Sequence, residues 1–118
     1  MGVTYLKIKV TNPANPRKQL ERRFLVDSGA IYSVLPGSEL KKLGLKPTDS
    51  QKFITATGEE VKKEIGEARF TFRDKSRTAP VIFGDEDVYL LGVTTLENLG
   101  LILDPLSREL KPLPMLLM

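Results

Sequence analysis

A mainly β chain with one or two short helices is predicted by three observations. Apolar and polar residues alternate in short runs. Gly, Pro, Asn and Asp punctuate those runs at regular intervals, as in sandwiches and barrels. An eight-residue pattern, hydroxyl-x-Leu-x-x-Leu-Gly-Leu, occurs twice, as "SELKKLGL" from Ser38 and "TTLENLGL" from Thr94. The repetition implies that each half of the chain closes a β segment with one short helix.

Each element follows in order. From Val3 to Val10, Tyr5, Lys7 and Lys9 face one way and Leu6, Ile8 and Val10 the other. Period two predicts a half-buried strand. "TNPANPRKQ" reads as a loop, because two prolines and two asparagines break the pattern. "LERRFLVD" resumes as a strand, so the first two strands form a hairpin. "AIYSVLP" is a further β run, closed by Pro36. In "GSELKKLGL", Ser38 is placed to cap a short helix, Leu40 and Leu43 share a face, and Gly44 can end it in the left-handed conformation. "FITATGEEVKKEIGEARFTF" predicts a hairpin over about residues 53 to 72, turning at Thr57-Gly58-Glu59, with Ala68, Phe70 and Phe72 alternating on its return strand. "RTAPVIFGDEDVYLLG" adds two strands around Gly84-Asp85-Glu86-Asp87. That turn is acidic but lacks EF-hand spacing, so it reads as a solvated turn. The tail, about residues 108 to 118, carries Leu113, Met115, Leu116, Leu117 and Met118, an apolar end suited to an interface.

Length and composition narrow the function. The 118 residues suit one domain over 1–118. Eighteen Lys and Arg against fifteen Asp and Glu leave +3, too mild to suggest a nucleic-acid partner. The basic cluster Arg17, Lys18, Arg22 and Arg23 lacks interleaved aromatics and reads as a solvated face. With no Cys and no His, the chain has no disulfides, thiolate zinc site or imidazole catalysis. No metal or other cofactor is expected. No apolar run reaches membrane-spanning length, and no signal-peptide pattern opens the chain, so no membrane association and a cytoplasmic location are expected.

The chemistry left to such a chain rests on carboxylates, hydroxyls, amines and backbone. In "RRFLVDSGAIYSVLP", Asp27 stands between two apolar runs. Asp-Ser-Gly is ordinary turn chemistry. Here, however, the turn lies at a core and not at a loop tip, where an unpaired carboxylate costs several kcal/mol. A second apolar run ending in Gly, "VYLLG", precedes the second helical pattern.

Asp27-Ser28-Gly29-Ala30 after Phe24-Leu25-Val26, the hairpin, then Leu90-Leu91-Gly92 and a helix, occur in an order that resembles the retropepsin-like aspartic proteases, above all their single-domain prokaryotic members. The resemblance spans nearly the whole chain. It implies a closed acid-protease barrel, a homodimer and a peptide or protein substrate. It implies Asp27 as the catalytic residue, with Ser28, Gly29 and Ala30 supporting it. Ala56, Thr57 and Gly58 would form a flap over the substrate, and Leu90, Leu91 and Gly92 would form or underlie a subsite wall. The C-terminal tail would join the dimer interface. Two positions depart from the family pattern: Ile31 stands where a small polar residue is frequent, and Val93 where viral members carry Arg.

Peptide hydrolysis by carboxylates needs two of them sharing one proton, because like charges about 3 Å apart cannot both ionise. The chain holds one Asp-Ser-Gly, so two chains are required, related by a two-fold axis. The competing readings are a non-catalytic module that keeps the fold for dimerisation and peptide binding, and hydrolysis of a non-peptide amide on the same dyad.

Overall fold

The computed structural model describes residues 3–104, 106–107 and 109–114. Strand β1 (Tyr5–Asn12) pairs antiparallel with β2 (Asn15–Val26), and Ile8, Val10, Phe24 and Val26 point into the core. The hairpin is tighter than the sequence suggests. The stretch read as a loop is almost entirely strand, turning only at Pro13-Ala14. Asn12 makes this possible: its Oδ1 accepts the Ala14 N–H at 2.9 Å, and its amide donates to Leu43 O at 2.8 Å. Pro16 is tolerated because it lies near a strand end.

Next come β3 (Ser33–Pro36) and α1 (Gly37–Lys42), then β4 (Asp49–Ile54), β5 (Glu60–Phe72) and β6 (Lys75–Gly84). The last stretch holds β7 (Leu90–Leu91), α2 (Val93–Asn98), β8 (Leu101–Leu103) and β9 (Leu110–Pro112). Seven strands pair in the order β1-β2-β7-β3-β6-β5-β4, and β1 also pairs with β5, so six of them close into a ring. Beta4 continues the hairpin beyond that ring. Phe24, Leu35, Phe70, Val81 and Leu91, all fully buried, fill the interior, with Phe24 and Phe70 meeting edge to face.

The twofold sequence pattern has a structural counterpart. Beta2 leads through the Asp27 turn to β3 and α1; β6 leads through the acidic turn to β7 and α2. The first strand of each half pairs in parallel with the second strand of the other, β2 with β7 and β6 with β3, while β3 and β7 meet antiparallel between them. Both helices end alike. Leu43 and Leu99 N–H bond back to Glu39 and Thr95 O, and Gly44 and Gly100 follow at φ +81° and +74°. Residues with a Cβ enter that conformation at a cost, and glycine does not.

The predicted Ser38 cap does not form. Pro36 is the N-cap and makes no side-chain cap bond. Ser38 lies inside the helix, and its hydroxyl donates to Glu86 Oε1 at 2.6 Å, tying α1 to the acidic turn. In the same turn Asp85 pairs with Lys63. The basic residues of β2 are engaged on its surface: Arg22 pairs with Glu39 at 3.1 Å, and Arg23 lies 4.1 Å from the Tyr5 ring centroid. Part of the tail is intramolecular, since β9 pairs antiparallel with β8 and Leu113 N–H bonds to Gly100 O. Residues 115 to 118, the most apolar part of the expected interface tail, lie outside the described residues. Among the described residues no helix is long and apolar enough to cross a membrane.

Candidate active site

Asp27 follows directly on β2, where the buried Phe24 and Val26 anchor the strand. Its N–H bonds to Leu91 O at 3.0 Å, and Val26 N–H to Thr4 O at 2.8 Å. The carboxylate is half-buried, with Oδ1 accepting the Gly29 N–H at 2.9 Å. A Cβ on residue 29 would stand 3.3 Å from that same oxygen, so glycine keeps the backbone donor close. Ala30 N–H closes the turn on Asp27 O at 3.1 Å.

The exit of the loop is fastened to α2. Ala30 O and Ile31 O accept the N–H groups of Val93 and Thr94 at 2.8 and 3.0 Å, two donors that the first turn of a helix leaves without intrahelical partners. Gly92 lies where the two segments cross. A Cβ there would stand 2.5 Å from the Tyr32 carbonyl carbon and 2.9 Å from Ile31 O, so any other residue would push the Asp27 loop away from α2. Beneath the crossing, Gly92 N–H donates to Ser33 Oγ at 3.0 Å, and Ser33 Oγ meets Thr95 Oγ1 at 2.6 Å, both residues fully buried.

The remaining predicted residues fall into two groups. Leu91 is fully buried and supports the loop through its carbonyl, while Leu90 is half-buried and borders a groove with Leu25, Tyr5, Val88 and Tyr89. Period two along β7 accounts for the split. Ala56, Thr57 and Gly58 form the exposed tip of the β4–β5 hairpin, with Thr55 N–H bonded to Glu59 O at 2.8 Å and Gly58 at φ +86°. The Tyr32 and Phe53 rings meet edge to face, centroids 6.5 Å apart, which joins the base of the hairpin to the exit of the Asp27 loop.

Ser28 is exposed, and among the described residues its hydroxyl makes no hydrogen bond within the chain. It borders an apolar cleft of about 200 Å³ with Val93, Leu96, Leu101, Ile102 and Leu103. Ser33, Thr95, Tyr32 and Phe53 were not singled out from the sequence. A hydroxyl within an apolar run, in "YSVLP" and "GVTTL", is the same kind of signal that drew attention to Asp27. The Tyr32–Phe53 contact has no local signal.

Solved structures of similar fold include two proteases. The protease of simian foamy virus (mac) superposes with a TM-score of 0.57 at 18% identity, covering 80% of this chain and 92% of its own. A retropepsin-like aspartic protease from Rickettsia conorii superposes with a TM-score of 0.54 at 25% identity, covering 87% of this chain and 77% of its own. Among curated proteins none matches. The family model for aspartyl proteases matches residues 13–100. Because that stretch takes in the Asp27 loop, the hairpin above it and the crossing at Gly92, the chain, retropepsin-like in fold, belongs to the aspartyl protease family.

Proposed function

We propose that the chain is an endopeptidase acting as a homodimer, with Asp27 of each protomer facing its copy across a two-fold axis. The observation that carries this reading is the placement of Asp27. A half-exposed carboxylate sits on a loop braced from below by Leu91 and from the side by α2, and the chain has a single Asp-Ser-Gly. A rigid lone carboxylate becomes a proton-sharing pair once a second copy is opposite.

In that pair the ionised carboxylate takes a proton from a bound water. The water oxygen attacks the scissile carbonyl carbon, and the protonated carboxyl gives its proton to the carbonyl oxygen. Collapse of the tetrahedral intermediate breaks the C–N bond, and the departing nitrogen receives the proton that came from water. The hydroxyl of Ser28 is free to reach the partner's backbone. The apolar cleft beside it, where Ile102 is 44% exposed, is surface that a second copy would cover. The tip Ala56-Thr57-Gly58 would close over an extended peptide, which would pair as an added strand. The groove at Leu25 and Leu90 would take one of its side chains.

Asp27→Asn is the decisive variant. Asn keeps an oxygen to accept the Gly29 N–H, so the fold stands, but it cannot shuttle the proton. Cleavage of an unfolded protein or a diverse peptide library at mildly acidic pH should fall by about a thousandfold, the scale of general acid–base catalysis. Full cleavage by the variant would overturn the reading.

A further inference from the structure

The ring of strands closes where β1 meets β5, over only three register pairs: Lys9↔Thr71, Val10↔Phe70 and Thr11↔Arg69. Val10 and Phe70 are fully buried in the core. Strand alternation therefore turns Lys9, Thr11, Arg69 and Thr71 to the outer face. There they line a half-open cleft of about 480 Å³, joined by Gln19 from β2 and Ser76 from β6. Pro13 of the β1–β2 turn and Pro16 at the start of β2 form its wall.

The composition of this cleft is one-sided. It contains two cations, an amide and three hydroxyls, and among the described residues no carboxylate borders it. Among the described residues neither Lys9 nor Arg69 is in an ion pair, and Glu21, the register partner of Lys9, is engaged by Lys7 at 3.5 Å. Thr71 and Ser76 share a hydrogen bond of 2.6 Å. Thr11 is only 6% exposed, yet among the described residues its hydroxyl has no hydrogen-bond partner. A buried hydroxyl without a partner is uncommon and costs stability unless something else satisfies it.

We propose that the cleft binds a small oxyanion, the phosphate or carboxylate group of a low-molecular-weight ligand. Arg69 would offer its planar fork and Lys9 a point charge, while Thr11 and its neighbours donate hydroxyl hydrogen bonds. The volume falls within the usual range for small-molecule sites. The site is separate from the catalytic loop, since Gln19 and Asp27 lie roughly 25 Å apart along β2 at the ordinary strand rise. Its occupant would bridge β1, β5 and β6 across the short seam and so stabilise the native state.

Thermal unfolding of the full chain tests this, with inorganic phosphate in one arm and tricarballylate in the other, each against sodium chloride at matched ionic strength. A saturable rise in Tm, about 5 °C at a tenfold excess over the dissociation constant, is expected in at least one arm. The responding arm identifies the group recognised. The rise should vanish in the Lys9→Gln/Arg69→Gln variant, whereas general salt stabilisation would persist there. Thr11→Val should raise the ligand-free Tm and weaken the anion response severalfold. No saturable rise in either arm, the same rise in the double variant, or an anion response untouched by Thr11→Val would overturn the proposal.

Discussion

At the scale of single residues, the Asp27 loop depends on two buried hydroxyls. Ser33 Oγ serves Gly92 N–H and Thr95 Oγ1 together, with no solvent to replace it. Removing a partner from a buried polar group costs about 1–3 kcal/mol for each group left unsatisfied. Ser33→Ala strands two groups, so it should destabilise the chain by about 3 kcal/mol, and Thr95→Val, which strands fewer, by about 1 kcal/mol. The two single variants share one bond, so their effects should not add in the double variant. Urea midpoints at constant m-value check this; equal losses in both single variants would contradict the arrangement in which Ser33 Oγ serves two partners. Val93, one of the two departures from the family pattern, is placed at the same crossing. Its N–H holds Ala30 O, and its side chain borders the apolar cleft beside Ser28. Ile31, the other departure, is 67% exposed and contributes to the crossing through its carbonyl, an atom that every residue type supplies.

At the scale of elements, the β8–β9 hairpin combines a packed side with an electrostatic clamp. Leu103 is buried, and Leu101 and Leu110 lie against the core. Asp104 bonds to Lys111 Nζ at 2.7 Å and accepts the N–H groups of Leu106 and Ser107 at 2.8 and 3.3 Å. Lys111 first, then those two backbone donors, lowers the Asp104 carboxyl from its ordinary 3.8 to about 2. A carboxyl lowered by folding stabilises the native state above its unfolded value, and that contribution disappears as pH falls through the folded value. Hydrogen-exchange protection of β8 and β9 should therefore hold at pH 4 and drop towards pH 2. Carboxyl NMR titration should find Asp104 ionising near 2 in the wild type and higher in Lys111→Ala, still below its ordinary value because the Leu106 and Ser107 N–H groups continue to donate to it. An unchanged Asp104 titration in that variant would refute the clamp. The pair also stays ionised at the mildly acidic pH proposed for catalysis.

The β4–β5 hairpin and the two helices mark how far elements can be read from sequence. The hairpin turn at Thr57-Gly58-Glu59 and the glycine ends of both helices follow local chemistry, and the structure has them where the motifs placed them. The Ser38 cap and the loop at "TNPANPRKQ" follow the same local rules and are wrong. In each case a distant partner outweighs the local preference: Glu86 takes the Ser38 hydroxyl, and Leu43 O holds the Asn12 amide while its Oδ1 tightens the turn.

At the scale of the whole molecule, the proposed catalysis requires a surface that one chain leaves open. We propose the cleft formed by Ser28, Val93, Leu96, Leu101, Ile102 and Leu103 as that surface. Ile102 is half-exposed in the single chain, so Ile102→Glu should leave the fold intact. Across a two-fold interface the same substitution would bury or oppose two new charges and should shift the chain to monomer. Sedimentation velocity should show that shift, and cleavage should fall with it. For the wild type, specific activity should decline on dilution below the dimer dissociation constant. A monomeric variant with undiminished cleavage would refute the shared pair of Asp27 residues.

By itself the sequence determined the β-rich class, the two helices with their glycine ends, the hairpin turn, and Asp27 as the residue around which any chemistry would be organised. These are consequences of side-chain period, turn chemistry and the cost of a carboxylate beside a core, all of which act within a few residues. The tertiary structure decided the closing of six strands into a ring, the swapped parallel pairing of the two halves, the crossing at Gly92 and the hydroxyl pair beneath it. Those features join residues as far apart as Ser33 and Thr95, or Tyr32 and Gly92. No local preference encodes such pairings; they arise because the strand faces must bury their apolar sides together and satisfy their remaining backbone groups at the point where the chain crosses itself.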